Sequence, residues 1–291
     1  MSLGAAYCVY NACDFLPESV QRIYPVVDRV VFLVNFSPWF GEPFSAIQGT
    51  LKMILDIPDP GKKFGILAGH WKDEAEQRNA GLSILRENGI DWCLIVDDDE
   101  LYNPGELERV KYMLENNSEH AAYLIYHQIY WKDRETIIEG IFGSFPTIAS
   151  TNGTVNFNEN RMIKVNSGHT WFSLSPESIL CHHMSYVRSD IEMKRKIESF
   201  SHADEVVPDW YERVWLGGVT VDLHPSAGPR FKRALRASES KYKLQEIEMK
   251  QEIPSWKDLK DSIVESAEQN GMGDTAKRVM DRAENMRGNS A

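Results

Sequence analysis

Four consecutive carboxylates, Asp97, Asp98, Asp99 and Glu100, directly follow the apolar run Trp92-Cys93-Leu94-Ile95-Val96. Adjacent like charges repel, so either water or nearby cations must offset their cost. Three chemistries are open to such a run. An EF-hand calcium loop starting at Asp97 is excluded, because its fifth position would be Leu101 and its sixth, which needs glycine, is Tyr102. A solvated acidic turn is the plain alternative. The third is a divalent-metal site for a phosphorylated ligand. Mg²⁺ or Mn²⁺ takes one or two carboxylates and completes its shell with water and substrate phosphates. Asp97 and Asp99, two apart at a strand end, could supply those ligands. The chain has no GxxxxGK[ST] loop, which disfavours an NTPase built on that phosphate cradle.

The elements that must position these acids can be read from periodicity. Ala5 to Tyr10 is a short apolar run ending at Asn11, and Pro17 suits the first turn of a helix with Val20, Ile23 and Tyr24 on one face. Arg29 to Val34 is continuous and β-branched, as a strand covered on both faces would be, and Asn35 ends it. Lys63 to Leu67 reads as a weaker strand, and Asp73 to Asn88 as a helix stopped by Gly89. Trp92 to Val96 is the fourth strand. Asn103, Pro104 and Glu106 open a helix, and Ala121 to Trp131 is a further strand. This order predicts an α/β fold with a mainly parallel sheet flanked by helices. In such sheets ligands sit at the carboxyl ends of strands, where Asn11, Asn35 and the Asp97 cluster all fall. Residues 144–168 are rich in Gly, Asn, Ser and Thr and predict loops or hairpins. Ser189 with Glu192 predicts a capping box opening a helix through Phe200.

Composition narrows the function classes. The chain has 291 residues and a formal net charge of -11, which argues against a broad nucleic-acid surface. Hydrophobic residues make up 42%, enough for a sizeable core, and no apolar run is long enough to span a bilayer. The start has no basic n-region and reads as a first strand rather than a signal peptide. Cys8, Cys13, Cys93 and Cys181 form no CxxC pair, which fits free thiols in a reducing, cytoplasmic setting.

Several short segments, in order, resemble the nucleotide-sugar-dependent glycosyltransferases of the GT-A fold, in particular the large inverting family 2-like group. They are NACDFL from Asn11, the Arg78-Asn79 pair within WKDEAEQRNAGL, the Asp97-Asp98-Asp99-Glu100 motif after the fourth strand, and CHHMSYVRSD from Cys181. The resemblance covers residues 1–235 as a GT-A-like catalytic domain, and residues 236–291 are expected to form a helical C-terminal extension. It implies a UDP- or GDP-sugar donor, Mn²⁺ or Mg²⁺, and an acceptor that is a carbohydrate, lipid or protein. Asp99 is the expected direct metal ligand, with Asp97 on the ribose or on metal-bound water, beside Asp98. A late histidine, His182 or His183, is expected to complete the metal shell. Strand alternation allows only one of the pair to face the site, and His183 shares its face with Ile179 and Cys181. Asn11, Asn35, Arg78 and Asn79 are the expected donor contacts, with Arg188, Lys194 and Lys196 as fixed positive charges for phosphate. The departure from the family pattern is Ala12, which stands in place of the early acidic residue.

An inverting transfer also needs a base for the acceptor hydroxyl, and Asp204, Glu205 and Asp209 lie in the later region, with Glu205 the nominal choice. Each of these residues has a plainer role open to it. Asn11 and Asn35 could simply end strands, Arg78 could pair with Glu74 along its helix, and Trp131, Trp171, Trp210 and Trp215 could be packing rather than sugar platforms. His127, His169, His202 and His224 read as ordinary hydrogen-bonded residues. Two other function classes remain open: a nucleotidyltransferase, against which VYNACDF lacks a glycine-rich loop, and a non-catalytic nucleotide or sugar binder.

Overall fold

The computed structural model describes residues 1–39, 47–116, 119–159, 161–199, 203–219, 223–226 and 233–249. The chain order is β1 (Leu3–Val9), α1 (Leu16–Ile23), β2 (Arg29–Asn35), α2 (Ile47–Leu55), β3 (Phe64–Gly69), α3 (Glu74–Glu87), β4 (Trp92–Val96), β5 (Glu100–Leu101), α4 (Pro104–Asn116) and β6 (Ala122–Trp131). It continues through β7 (Asp133–Ile138), β8 (Phe142–Ser150), β9 (Val155–Glu159), β10 (Met162–Val165), β11 (Trp171–Ser173), β12 (Leu180–Tyr186), α5 (Asp190–Ser199) and β13 (Ala234–Arg236).

The central sheet runs β13-β7-β6-β8-β4-β1-β2-β3, with β12 and β11 also pairing with β6, and β5 with β12. The β4-β1-β2-β3 half is parallel throughout. It is the predicted α/β sheet flanked by helices. Beyond β4 the sheet turns mixed, since β8 runs antiparallel to both β4 and β6 while β12 runs parallel to β6.

Strand alternation sorts the core into two layers. Leu3, Ala5, Tyr7 and Val9 of β1 pack with Val20 of α1, Ile54 of α2 and Leu107 of α4. Ala6 faces the other way, onto Leu82 and Leu85 of α3 and Phe157 of β9. The helix α3 comes close to the sheet at Gly81, where a Cβ would lie 2.9 Å from both the Ala6 and Leu33 side chains. Gly89 stops α3 with φ of 72°, a left-handed conformation that glycine adopts freely.

Three parts depart from the expected layout. Helix α2 is an addition; Gly49 and Thr50 in its first turn weaken the helical signal of IQGTLKMIL. Within residues 144–168, the larger part of β8 enters the main sheet, and only β9 and β10 form a separate hairpin. Pro146 hid that strand, because proline cannot donate to a ladder; it sits opposite Leu124 at a register shift. The expected C-terminal helices lie mostly outside the described residues. Their described beginning holds one 3-10 turn at Ala237–Glu239 and no further helix up to Met249.

The 240–246 stretch instead lies across the body of the domain. Asn103 donates from Nδ2 to the Lys243 carbonyl and accepts from Gln245 N, and Arg22 Nη2 donates to the Gln245 carbonyl. All four cysteines are free thiols. Among the described residues, no helix is long and apolar enough to cross a membrane.

Candidate functional site

The acids sit where β4 ends and β5 begins. Asp97 follows the last residue of β4, Asp98 and Asp99 form the turn, and Glu100 opens β5. The turn closes through Glu100 N donating to the Asp97 carbonyl at 3.1 Å. Strand β5 pairs antiparallel with β12, which sets His183 opposite Glu100 and His182 opposite Leu101.

Protein cations offset the repulsion of the run. Asp97 accepts from Arg78 Nη2 at 2.9 Å and lies 3.1 Å from Arg161 Nη2. Asp99 accepts from Arg188 Nη2 at 2.7 Å and Lys196 Nζ at 2.8 Å, both on Oδ2, while its Oδ1 lies 3.1 Å from His183 Nε2. Glu100 Oε1 lies 2.7 Å from Arg161 Nη1. Among the described residues no guanidinium pairs with Asp98; its Oδ2 accepts from Cys13 N at 2.7 Å.

These contacts separate the four acids electrostatically. Burial alone would raise Asp99, but Lys196, His183 and Arg188 outweigh it and hold the carboxyl well below the usual range. Arg161 and Arg78 likewise overcome burial at Asp97 and depress it. Burial, reinforced by the charge of Asp99, pushes Asp98 up to about 6. Glu100 is also raised by burial, against the opposing pull of Arg161.

The two histidines of β12 face opposite ways. His183 is turned to Asp99, and its Nδ1 lies 3.4 Å from His127 Nδ1. His182 is fully buried against Tyr130 Oη at 3.1 Å, and burial next to Arg22 drops its pKa to about 3.

Two cavities meet at this wall. The first, about 370 Å³, is lined by Tyr10, Asn11, Ala12, Trp39, Asp97, Asp98, Asp99, Arg188, Arg195 and Lys196, among others. It lies at the carboxyl ends of β1, β2 and β4. The second, about 630 Å³, is lined by aromatic and aliphatic side chains together with Glu74, Glu100, His127 and Arg161. Asp97, His183 and Ser185 line both.

Other expected site residues stand elsewhere. Asn35 is buried and holds Trp71, donating to its carbonyl at 3.1 Å, and Asn79 is doubly bonded to the Phe157 backbone at 2.8 Å. Neither lines either of these two cavities, because each amide is spent on joining elements. Asp204 and Glu205 are exposed on the one-turn 3-10 helix Ala203–Glu205 and line neither cavity. Asp209 is exposed with φ of 64°, and Lys194 Nζ stands 5.9 Å from the Tyr211 ring centre. Trp131, Trp210 and Trp215 form a packed core cluster rather than a platform, and Trp171 is exposed on β11. His224 lines the second cavity, and His202 lies outside the described residues. Arg161, His127 and Ser185 were not legible as site residues: a lone Arg in a polar turn and a His within a strand carry no spacing signal.

Divalent-ion chemistry suits part of this geometry. Asp99 Oδ1 and His183 Nε2 are 3.1 Å apart at the wall of the first cavity, and adjacent ligands of an octahedral ion with bonds of 2.0–2.1 Å stand roughly 3 Å apart. A second group of candidate ligands among the described residues, Glu100, His127 and Cys181, brings its atoms within 4.8 Å of one another but is wholly buried.

No protein-family model matches the chain, and no curated protein matches it. Two solved structures of S. aureus TarS are similar, each at 15% identity with a TM-score of 0.33 over 61% of this chain. The chain spans 38% of one of those structures and 62% of the other, which covers residues 1–349 of TarS.

Proposed function

We propose that this chain is a glycosyltransferase that moves a sugar from a nucleoside-diphosphate sugar, with UDP or GDP as the nucleotide, to an acceptor hydroxyl. The observation that carries the reading is the convergence of Asp97, Asp99 and His183 with Arg188 and Lys196 in one cavity at the carboxyl ends of a parallel sheet. A diphosphate leaving group needs its charge matched, and Arg188, Arg195 and Lys196 line the same cavity. Tyr10, Asn11 and Trp39 offer the base and ribose a mixed aromatic and polar wall.

Mn²⁺ or Mg²⁺ would be held by Asp99 and His183, with Asp97 reaching it through water. When bound, it would act as a Lewis acid on the diphosphate. Arg188 and Lys196 fix the Asp99 carboxylate from its other oxygen and so aim Oδ1 at His183. An inverting course is part of the proposal, with the acceptor entering from the second cavity.

Calorimetry with UDP and GDP, with and without Mn²⁺, tests this reading. Binding of one nucleotide that tightens with Mn²⁺, followed by nucleotide release from its hexose conjugate, is the expected result. No binding of either nucleotide under both conditions would sink it.

A further inference from the structure

The second cavity differs in chemistry from the first although they share a wall. Phe142, Phe145, Ile129, Met162 and Tyr186 give it an apolar, ring-bearing side. Phe145 and Met162 are exposed at its rim, at 40% and 63%, although large apolar side chains are usually covered. Phe145 also leans on the His127 ring, with centroids 4.9 Å apart.

The floor is polar and acidic. Glu74, Asp97 and Glu100 line it. Among the described residues its one fixed cation, Arg161, is engaged with Asp97 and Glu100. Among the described residues, three lining carboxylates against this one guanidinium leave no excess positive charge for an anionic ligand. The carboxylates of Glu74, Asp97 and Glu100 and the imidazoles of His127 and His183 line this side. Hydroxyl groups can donate to such acceptors, so the lining favours a ligand that brings them.

We infer that this second cavity is the acceptor subsite and that it takes an uncharged hydroxylated ring, a neutral glycoside, with its apolar face on Phe145 and Met162 and its hydroxyls on the His127 side. A pyranose has that split character, with one face of C–H bonds and an edge of hydroxyls. The shared wall of Asp97, His183 and Ser185 then places an acceptor hydroxyl next to the sugar end of a donor in the first cavity. An acceptor bearing phosphate or carboxylate would meet the acidic floor and be disfavoured. This assignment rests on the sugar-transfer reading above for its name, but the binding it requires can be measured without it.

Saturation-transfer NMR on the full chain provides the test. The probes are the methyl glycosides of glucose, galactose and N-acetylglucosamine, with methyl glucuronide as the anionic comparison. At least one neutral glycoside should show ring-proton saturation, exceeding that of the glucuronide. In Phe145→Ala and in Met162→Ala, both rim substitutions, that glycoside should bind about tenfold more weakly, the loss expected for one ring-face contact. UDP and GDP binding is measured on the same samples, so failure of the nucleotide reading appears separately as absence of nucleotide binding. Three results would overturn the assignment: no saturation of any neutral glycoside by the wild-type chain, unchanged glycoside binding in both rim variants, or glucuronide binding as strongly as the neutral probes.

Discussion

His183 Nε2 lies 3.1 Å from Asp99 Oδ1, while His182, its neighbour in β12, is buried on the opposite face against Tyr130. The two adjacent histidines thus have separable jobs, and substituting each to alanine should separate them. His183→Ala is expected to weaken the Mn²⁺ enhancement of UDP or GDP binding by at least about tenfold, with little loss of fold, since imidazole is a ready ligand for such ions. His182→Ala should leave that enhancement intact and cost roughly 2–4 kcal/mol of stability, as truncating a buried ring does. Calorimetry and urea unfolding on both variants read the two effects; a swapped pattern would reverse the assignment.

Asp99 is tied to Arg188, Lys196 and His183 at once. Removing its charge leaves two cations facing each other without their shared anion. Asp99→Asn should therefore destabilise the domain by about 3 kcal/mol, in the range found when one member of a buried ion pair is lost. It should also abolish any Mn²⁺ dependence of nucleotide binding. Nucleotide affinity that stays fully Mn²⁺-dependent in Asp99→Asn would show that the ion is held elsewhere.

Asp98 supplies a pH dependence of stability. Burial and the Asp99 charge push its folded pKa up to about 6, against an unfolded value of 3.8. A raised acid pKa means that the folded state binds the proton more tightly, so stability from this group falls as pH rises from about 4 to 6. Above about 6 the cost is fully present, at most about 3 kcal/mol. Asp98→Asn removes the ionisation and keeps an acceptor for Cys13 N. The variant should be more stable than the wild type at pH 7.5 in chelator-treated buffer, and the difference should vanish near pH 4. Equal urea midpoints at both pH values would contradict this.

Much of the frame that carries the acids was legible because it follows from local chemistry. A parallel strand covered on both faces must be continuously apolar, so Trp92 to Val96 announced β4, and the acids could only follow it at the carboxyl end. Ser189 and Glu192 form the reciprocal cap their spacing suggests, with Ser189 N donating to Glu192 Oε2 at 2.9 Å. What the sequence does not show is much of the pairing between side chains distant along the chain. Arg161 reaches Asp97 and Glu100 only because the β9–β10 hairpin folds over α3, and nothing in its neighbours indicates that. Asn35 and Asn79 sit at suggestive positions, yet tertiary contacts with Trp71 and Phe157 take up their amides. Asp204 and Glu205 lie in the region where a base was expected, but their turn leaves them exposed.

Asn103 shows the same competition between local and distant partners, and it yields a further expectation. Its spacing to Glu106 is that of a helix cap, and Asn103 Nδ2 does reach Glu106 Oε1 at 2.9 Å. Its remaining capacity goes to the 240–246 stretch: Nδ2 also donates to the Lys243 carbonyl at 3.0 Å, and Oδ1 accepts from Gln245 N at 2.9 Å. Leu244 packs beside Leu101 and Met184, directly under the β5–β12 pair that carries Glu100 and His183. Asn103→Ala therefore removes the side-chain bond to Glu106 and the clasp on this stretch. It is expected to cost about 1–2 kcal/mol, the loss of a few part-buried hydrogen bonds. The clasp makes a second, distinguishable demand. Backbone amide exchange at Gln245, bonded directly to Asn103 in the wild type, should accelerate far more than exchange in α1 or β1, which share no bond with Asn103. Acceleration spread evenly over the domain would mean that the loss is only global, and that the stretch is held without Asn103.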